Sequence, residues 1–205
     1  IEAVFFDLDG TLIETDDALA GQDPGDDRGL KWGLAVGAWR TADRAHQFLD
    51  RLGLDDEADR FRDWLGERVP TLPDVTEIPM VDGARDALQE LARRYRLALV
   101  TTRPKVEAYR WLDHHGLADT FDTVTTNDDV DHRKPHPEGI FHTAENLRVA
   151  VNHCVMVGDT VDDLESARQA GALAIAVMTG MDDEDALVMA DMTVKSVADL
   201  PKILT

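Results

Sequence analysis

Apolar and polar positions follow two different rhythms along this chain. Ala3-Val4-Phe5-Phe6-Asp7-Leu8 is an apolar run closed by a carboxylate, the pattern of a strand buried on both faces. Asp9-Gly10-Thr11 breaks it. Residues 15 to 79 differ in texture and start with the Gly/Asp/Pro-rich stretch Gly21-Gln22-Asp23-Pro24-Gly25. Helical spacing follows in Trp32, Val36 and Trp39, then in Ala45, Phe48, Leu49 and Leu52, then in Ala58, Phe61, Trp64 and Leu65. Pro70, Pro73 and Pro79 close the segment as a linker, and no strand is expected inside it.

Beyond Pro79, helix and strand alternate. Asp82 suits the cap of a helix carrying Ala84, Ala87, Leu88 and Leu91. Leu97 to Val100 reads as a strand, and Pro104 as the first turn of a helix ending at Gly116. A strand is expected over Phe121 to Thr126 and a helix from Pro137 to about Leu147. Cys154 to Val157 reads as a strand, followed by a helix from Asp162 to Ala170 that Gly171 stops. Then come a strand over Leu173 to Val177, a helix over Asp182 to Met189, a short strand at Thr193-Val194 and a last helix over Ser196 to Leu204. This alternation implies right-handed crossovers and an α/β fold, a Rossmann-like parallel sheet sandwiched by helices. Residues 1–14 and 80–205 would form that core, with 15–79 inserted as a helical cap.

Composition narrows the setting. The 205 residues are 43% apolar and 30% charged, values of a folded globular chain rather than a disordered one. No apolar run approaches the roughly 20 residues of a membrane helix. No basic-plus-apolar leader is visible, and the single cysteine, Cys154, sits in an apolar strand; a reducing cytoplasm is expected. Acids outnumber bases 41 to 21, a net charge of -20, which argues against a nucleic-acid partner. That acidity fits either adaptation to high salt or a base composition rich in Asp and Arg codons. It also devalues any single acidic pair: at this Asp frequency, about four Asp-x-x-x-Asp spacings arise by chance.

Position is what gives the acids meaning. In a parallel sheet, ligands bind at the carboxyl ends of the strands. The first strand delivers Asp7 and Asp9; the Leu97 strand delivers Thr101, Thr102 and Arg103; the loop after the third brings Lys134; the Val155 strand delivers Asp159, with Asp163 on the following turn. Asp7, Asp159 and Asp163 form a hard-oxygen set suited to Mg²⁺. Thr101 and Lys134 are donors suited to phosphate oxygens, and Gly10 and Thr11 can turn backbone N–H groups toward an anion. A carboxylate is already ionised at neutral pH, so Asp7 can serve as a nucleophile. Its approach to a phosphate dianion at ~4 Å costs roughly 8 kcal/mol at an effective dielectric of 20, and a divalent cation with Lys134 reverses that sign. Asp9 is free to protonate the leaving oxygen and then to activate water.

Asp7-Leu8-Asp9-Gly10-Thr11-Leu12, the Thr101 strand end, Lys134-Pro135 and Gly158-Asp159-Thr160-Val161-Asp162-Asp163 resemble, in order, the four motifs of the haloacid dehalogenase-like (HAD) hydrolase superfamily. The inserted segment resembles the C1-type cap of the phosphoglycolate phosphatase and β-phosphoglucomutase branch. The resemblance implies a HAD-like core with Asp7 as nucleophile and metal ligand. It implies Asp9 as acid/base with its backbone carbonyl on Mg²⁺, Asp159 on the metal, and Asp163 on the metal or its waters. Thr101 and Lys134 would hold the transferring phosphoryl group, with Gly10, Thr11, Thr102 and Arg103 around it. An Asp at position 9 argues against dehalogenation, because true haloacid dehalogenases lack this second acid.

The bland alternatives are a helix cap for Asp162 and a structural role for His114 and His115 at a helix end. His132 and His136 read as solvated loop residues, and Trp32, Trp39 and Trp64 as cap core. Arg28, Lys31, Arg40 and Arg44 are either salt-bridged or a substrate-anion site. The expected activity is Mg²⁺-dependent hydrolysis of a small phosphorylated metabolite, phosphoglycolate-like or a sugar phosphate, by a monomer or homodimer away from membranes. A phosphomutase and a phospho-acceptor signalling module are the alternatives.

Overall fold

A computed structural model of the chain describes residues 1–14, 74–180, 182 and 184–204. The chain divides into two units, Ile1–Thr15 with Val75–Thr205, and Asp16–Asp74. The expected cap helices, with Trp32, Trp39, Trp64, Arg28, Lys31, Arg40 and Arg44, lie outside the described residues.

Six parallel strands form one sheet: β1 (Ala3–Phe6), β2 (Arg96–Val100), β3 (Thr123–Thr125), β4 (Cys154–Gly158), β5 (Leu173–Val177) and β6 (Met192–Val194), in spatial order β3-β2-β1-β4-β5-β6. The α-helices are α1 (Ala84–Leu91), α2 (Lys105–His114), α3 (Glu138–Leu147), α4 (Val161–Ala170) and the short α5 (Leu200–Ile203). Successive strand residues point to opposite faces. Ala3, Phe5, Ala98, Val100, Cys154 and Met156 pack with Ile140, Ala144, Leu164 and Ala167 of α3 and α4. The alternate positions Val4, Phe6, Leu97, Leu99, Val155 and Val157 are equally buried, so the sheet is covered on both sides. That double burial explains the unbroken apolar runs of β1 and β4.

Strand order reverses between β1 and β4, and such a switch opens a crevice at the carboxyl ends of the two strands. Phe6 pairs with Leu99 on one side and Val157 on the other. Asp7 therefore leaves the sheet between the ends of β2 and β4, with its N–H donating to the Val157 carbonyl at 2.9 Å.

Three local expectations are corrected. Gly83, in the left-handed region, precedes α1 where Asp82 was expected to cap it. Thr160, not Asp162, caps α4: its hydroxyl accepts from the Asp163 N–H while the Asp163 carboxylate accepts from Thr160, a reciprocal pair that outcompetes the single contact Asp162 would make. Among the described residues of 182–189 there are turns and no helix. There the Asp182 carboxylate is committed to the Val161 N–H at 2.8 Å, and of the apolar side chains only Leu187 is deeply buried.

Candidate active site

Lys134 is the pivot of the crevice. Its ammonium donates to Asp7 Oδ1 at 2.5 Å, to Asp163 Oδ1 at 2.5 Å and to the Val100 carbonyl at 3.1 Å. Both carboxylates and the ammonium are almost wholly buried. Asp159 completes the set: one carboxylate oxygen each from Asp7, Asp159 and Asp163 lie within 4.8 Å of one another. Each acid comes from a different piece of backbone. Asp7 follows β1, Asp159 follows β4, and Asp163 is fixed in the first turn of α4 by the Thr160 hydroxyl at 2.6 Å.

Three buried carboxylates gather around the Lys134 ammonium in this crevice. The strain shows at Asp7. Burial pushes its pKa up to about 7 even though Lys134 pulls the other way, and Asp163 and Asp9 add to the upward push. Burial works against the Lys134 charge, but Asp163 and Asp7 outweigh it and hold the ammonium more firmly protonated than an ordinary lysine. A divalent cation would offset the carboxylates' charge, and an all-carboxylate donor set suits a hard ion such as Mg²⁺. The residues present therefore fit the metal that the sequence implied.

Gly10 packs against this cluster. Its φ of 72° lies in the left-handed region, and a Cβ there would run into the Asp159 carboxylate. The Gly10 and Thr11 amides, expected to face an anion, instead close the turn. Gly10 N–H donates to the Ile13 carbonyl at 2.9 Å and Thr11 N–H to that of Leu8 at 3.4 Å. Thr11 contributes its hydroxyl, which donates to Asp159 Oδ1 at 3.3 Å.

At the end of β2, Thr101 is buried and its hydroxyl oxygen accepts from the Arg103 N–H at 3.1 Å. Thr101 and the exposed Thr102 line a small cleft together with Lys134, Thr126 and Asn127. Arg103 was expected around the phosphate and instead clamps an acid. Its Nε donates to Asp9 Oδ2 at 2.8 Å and its Nη2 to Asp9 Oδ1 at 2.6 Å, while Nη1 donates to Glu107 at 2.8 Å. A fork facing a carboxylate is the geometry guanidinium favours, and it draws Arg103 away from the open cleft.

Glu107, Thr179 and Gly180 also belong to this rim and were not singled out from the sequence, and Thr160, quoted there within a motif, was given no role of its own. Glu107 stands four residues after Arg103 on α2, and Thr160 three before Asp163; both spacings are readable signals. Thr179, whose hydroxyl donates to the Gly10 carbonyl at 2.6 Å, carried none beyond its place after β5.

A parallel α/β enzyme with its reactive groups at the switch point is thus defined by fold and site together. The haloacid dehalogenase-like hydrolase profile matches residues 1–171, and the chain belongs to that family. It is 30% identical over 220 residues to phosphoglycolate phosphatase of Chromobacterium violaceum, covering 98% of this chain and 95% of that one. Among solved structures, a HAD phosphatase from Thermococcus onnurineus matches with a TM-score of 0.67 at 26% identity, over 100% of this chain and 98% of its own. L-2-haloacid dehalogenase from Xanthobacter autotrophicus, at 21% identity and a TM-score of 0.73 over 100% and 98% of the two chains, shares the fold. Among the described residues, no helix is long and apolar enough to cross a membrane.

Proposed function

We propose that the protein is a Mg²⁺-dependent phosphatase that cleaves a small phosphomonoester through an aspartyl-phosphate on Asp7. The observation that carries this reading is the Lys134 ammonium held between Asp7 and Asp163 with Asp159 alongside, at the β1/β4 switch point. Asp7, Asp159 and the Asp9 carbonyl would hold the metal, with Asp163 on it or its waters. Bound there, Mg²⁺ supplies positive charge that offsets the repulsion between Asp7 and the phosphate.

One Asp7 oxygen attacks phosphorus, and the bond from phosphorus to the ester oxygen breaks as the new one forms. Asp9 gives its proton to the departing alkoxide. Lys134 and the Thr101 hydroxyl face the phosphoryl oxygens as charge builds there. In the second half, Asp9 takes a proton from water, whose oxygen displaces phosphate and restores the Asp7 carboxylate. Arg103 holds both Asp9 oxygens, so one of its contacts must yield before that acid can reach the leaving group.

The relationship to a phosphoglycolate phosphatase along 98% of the chain supports a small phosphorylated acid as substrate. The inserted segment, whose own unit is Asp16–Asp74 rather than the 15–79 expected from the sequence, would act as the cap that excludes water and selects it. Asp7→Asn tests the proposal: p-nitrophenyl phosphate turnover with Mg²⁺ is expected to vanish while the circular dichroism spectrum is unchanged. Full activity in that variant would overturn the nucleophile assignment.

A further inference from the structure

The loop that delivers Lys134 carries a second cluster, on its outer side, which the phosphatase reading leaves unused. We propose that His132, His136 and Glu138 form a binding site for a borderline divalent transition ion of the zinc type, distinct from the magnesium site. One donor atom from each lies within 4.8 Å of the others. His132 Nδ1 is 2.7 Å from Glu138 Oε2, and His136 Nδ1 is 3.8 Å from the same oxygen. The two imidazoles lie together, with centroids 4.5 Å apart.

Donor chemistry separates this cluster from the buried one. Asp7, Asp159 and Asp163 offer oxygen alone. Two imidazoles and a carboxylate suit Zn²⁺, Co²⁺, Ni²⁺ or Cu²⁺, which Mg²⁺ does not displace from nitrogen ligands. Three protein ligands leave the remaining positions to water. Bond lengths near 2.0–2.1 Å set donors about 3.3 Å apart around a tetrahedral ion. The short His132–Glu138 contact must then open and the His136–Glu138 one close, by about half an ångström each. These side chains are 65%, 50% and 31% exposed, so such shifts meet little packing.

The backbone already gathers the ligands. Glu138 opens α3, and its carboxylate accepts from the Asp131 N–H at 2.8 Å and the His132 N–H at 3.1 Å. Hydrogen bonds of this kind orient a metal-ligating carboxylate. The His136 N–H donates to the Arg133 carbonyl at 2.9 Å, closing a turn. Pro135 and Pro137 fix φ on either side of His136. His136 Nδ1 accepts from the Glu138 N–H at 3.3 Å, so its lone pair lies on the Glu138 side of the ring, in a long contact that a metal would replace. A net charge of -20 raises the local concentration of cations at any exposed site.

Lys134 stands two residues from each histidine, so an ion here would clamp the loop whose ammonium joins Asp7 and Asp163. The test is a titration of the whole chain with Co²⁺ in excess Mg²⁺, followed by visible ligand-field absorption. Its readout owes nothing to phosphatase activity. One equivalent is expected to bind in the wild type and in Asp159→Asn. His132→Gln/His136→Gln and, separately, Glu138→Gln should weaken binding by at least ~10-fold. Absence of the bands in the wild type, undiminished binding in the double histidine variant, or loss in Asp159→Asn would each overturn it.

Discussion

Lys134 shows how much one side chain can carry. A single ammonium neutralises part of a three-carboxylate cluster, and it does so where water is excluded. Breaking a buried pair by removing one partner costs about 3–5 kcal/mol, because the other charge is left uncompensated. Lys134→Met should therefore lower the urea midpoint of the metal-free protein and cut kcat by about 100-fold or more; a variant as active as the parent would remove Lys134 from the chemistry. Arg103 invites a different measurement. Because its fork faces Asp9, Arg103→Met should lower kcat by about tenfold or more with KM little changed. A rise in KM at constant kcat would return Arg103 to the phosphate-binding role read from the sequence.

At the scale of elements, the sequence was informative wherever one force dominated. Leu173 to Val177 was legible as a strand because its apolar run lies between Gly171 and the turn after β5, and β5 has those bounds. Asp7, Asp159 and Lys134 could be brought together on paper because strand ends in a parallel sheet share one edge. What stayed hidden was competition between neighbours. Asp82 and Asp162 both looked like caps, and Gly83 and Thr160 hold those places. Arg103 looked like a phosphate ligand because an arginine at a strand end offers no hint that Asp9 will reach it first. Among the described residues of 182–189 no helix forms, and Asp182, expected in its first turn, is bonded instead to the Val161 amide. The end of α2 yields a pH prediction. Burial, then His114 and Arg85, lower the His115 pKa below its ordinary 6.5. The unfolded chain therefore binds a proton that the folded one resists, and stability should fall as pH drops below about 6.5. His115→Gln should flatten the change in urea midpoint between about pH 7 and pH 5; an unchanged slope would show that other groups govern it.

For the molecule as a whole, net charge sets the response to its medium. An excess of 20 negative charges repels itself most at low ionic strength, where the screening length is long. Raising KCl from about 0.01 M, where that length is ~30 Å, to 1 M, where it is ~3 Å, should raise the thermal midpoint. A flat response would leave base composition, rather than a salty habitat, as the reason for the acidity. The topology acts earlier in the life of the protein. Ala3 of the central strand pairs with Arg96 on one side and Cys154 on the other. During synthesis, then, this central strand leaves the ribosome before either partner; one edge waits for β2 and the other stays bare until β4 has followed. Assembly must be late, and a ribosome stalled before β4 would release a chain prone to aggregate.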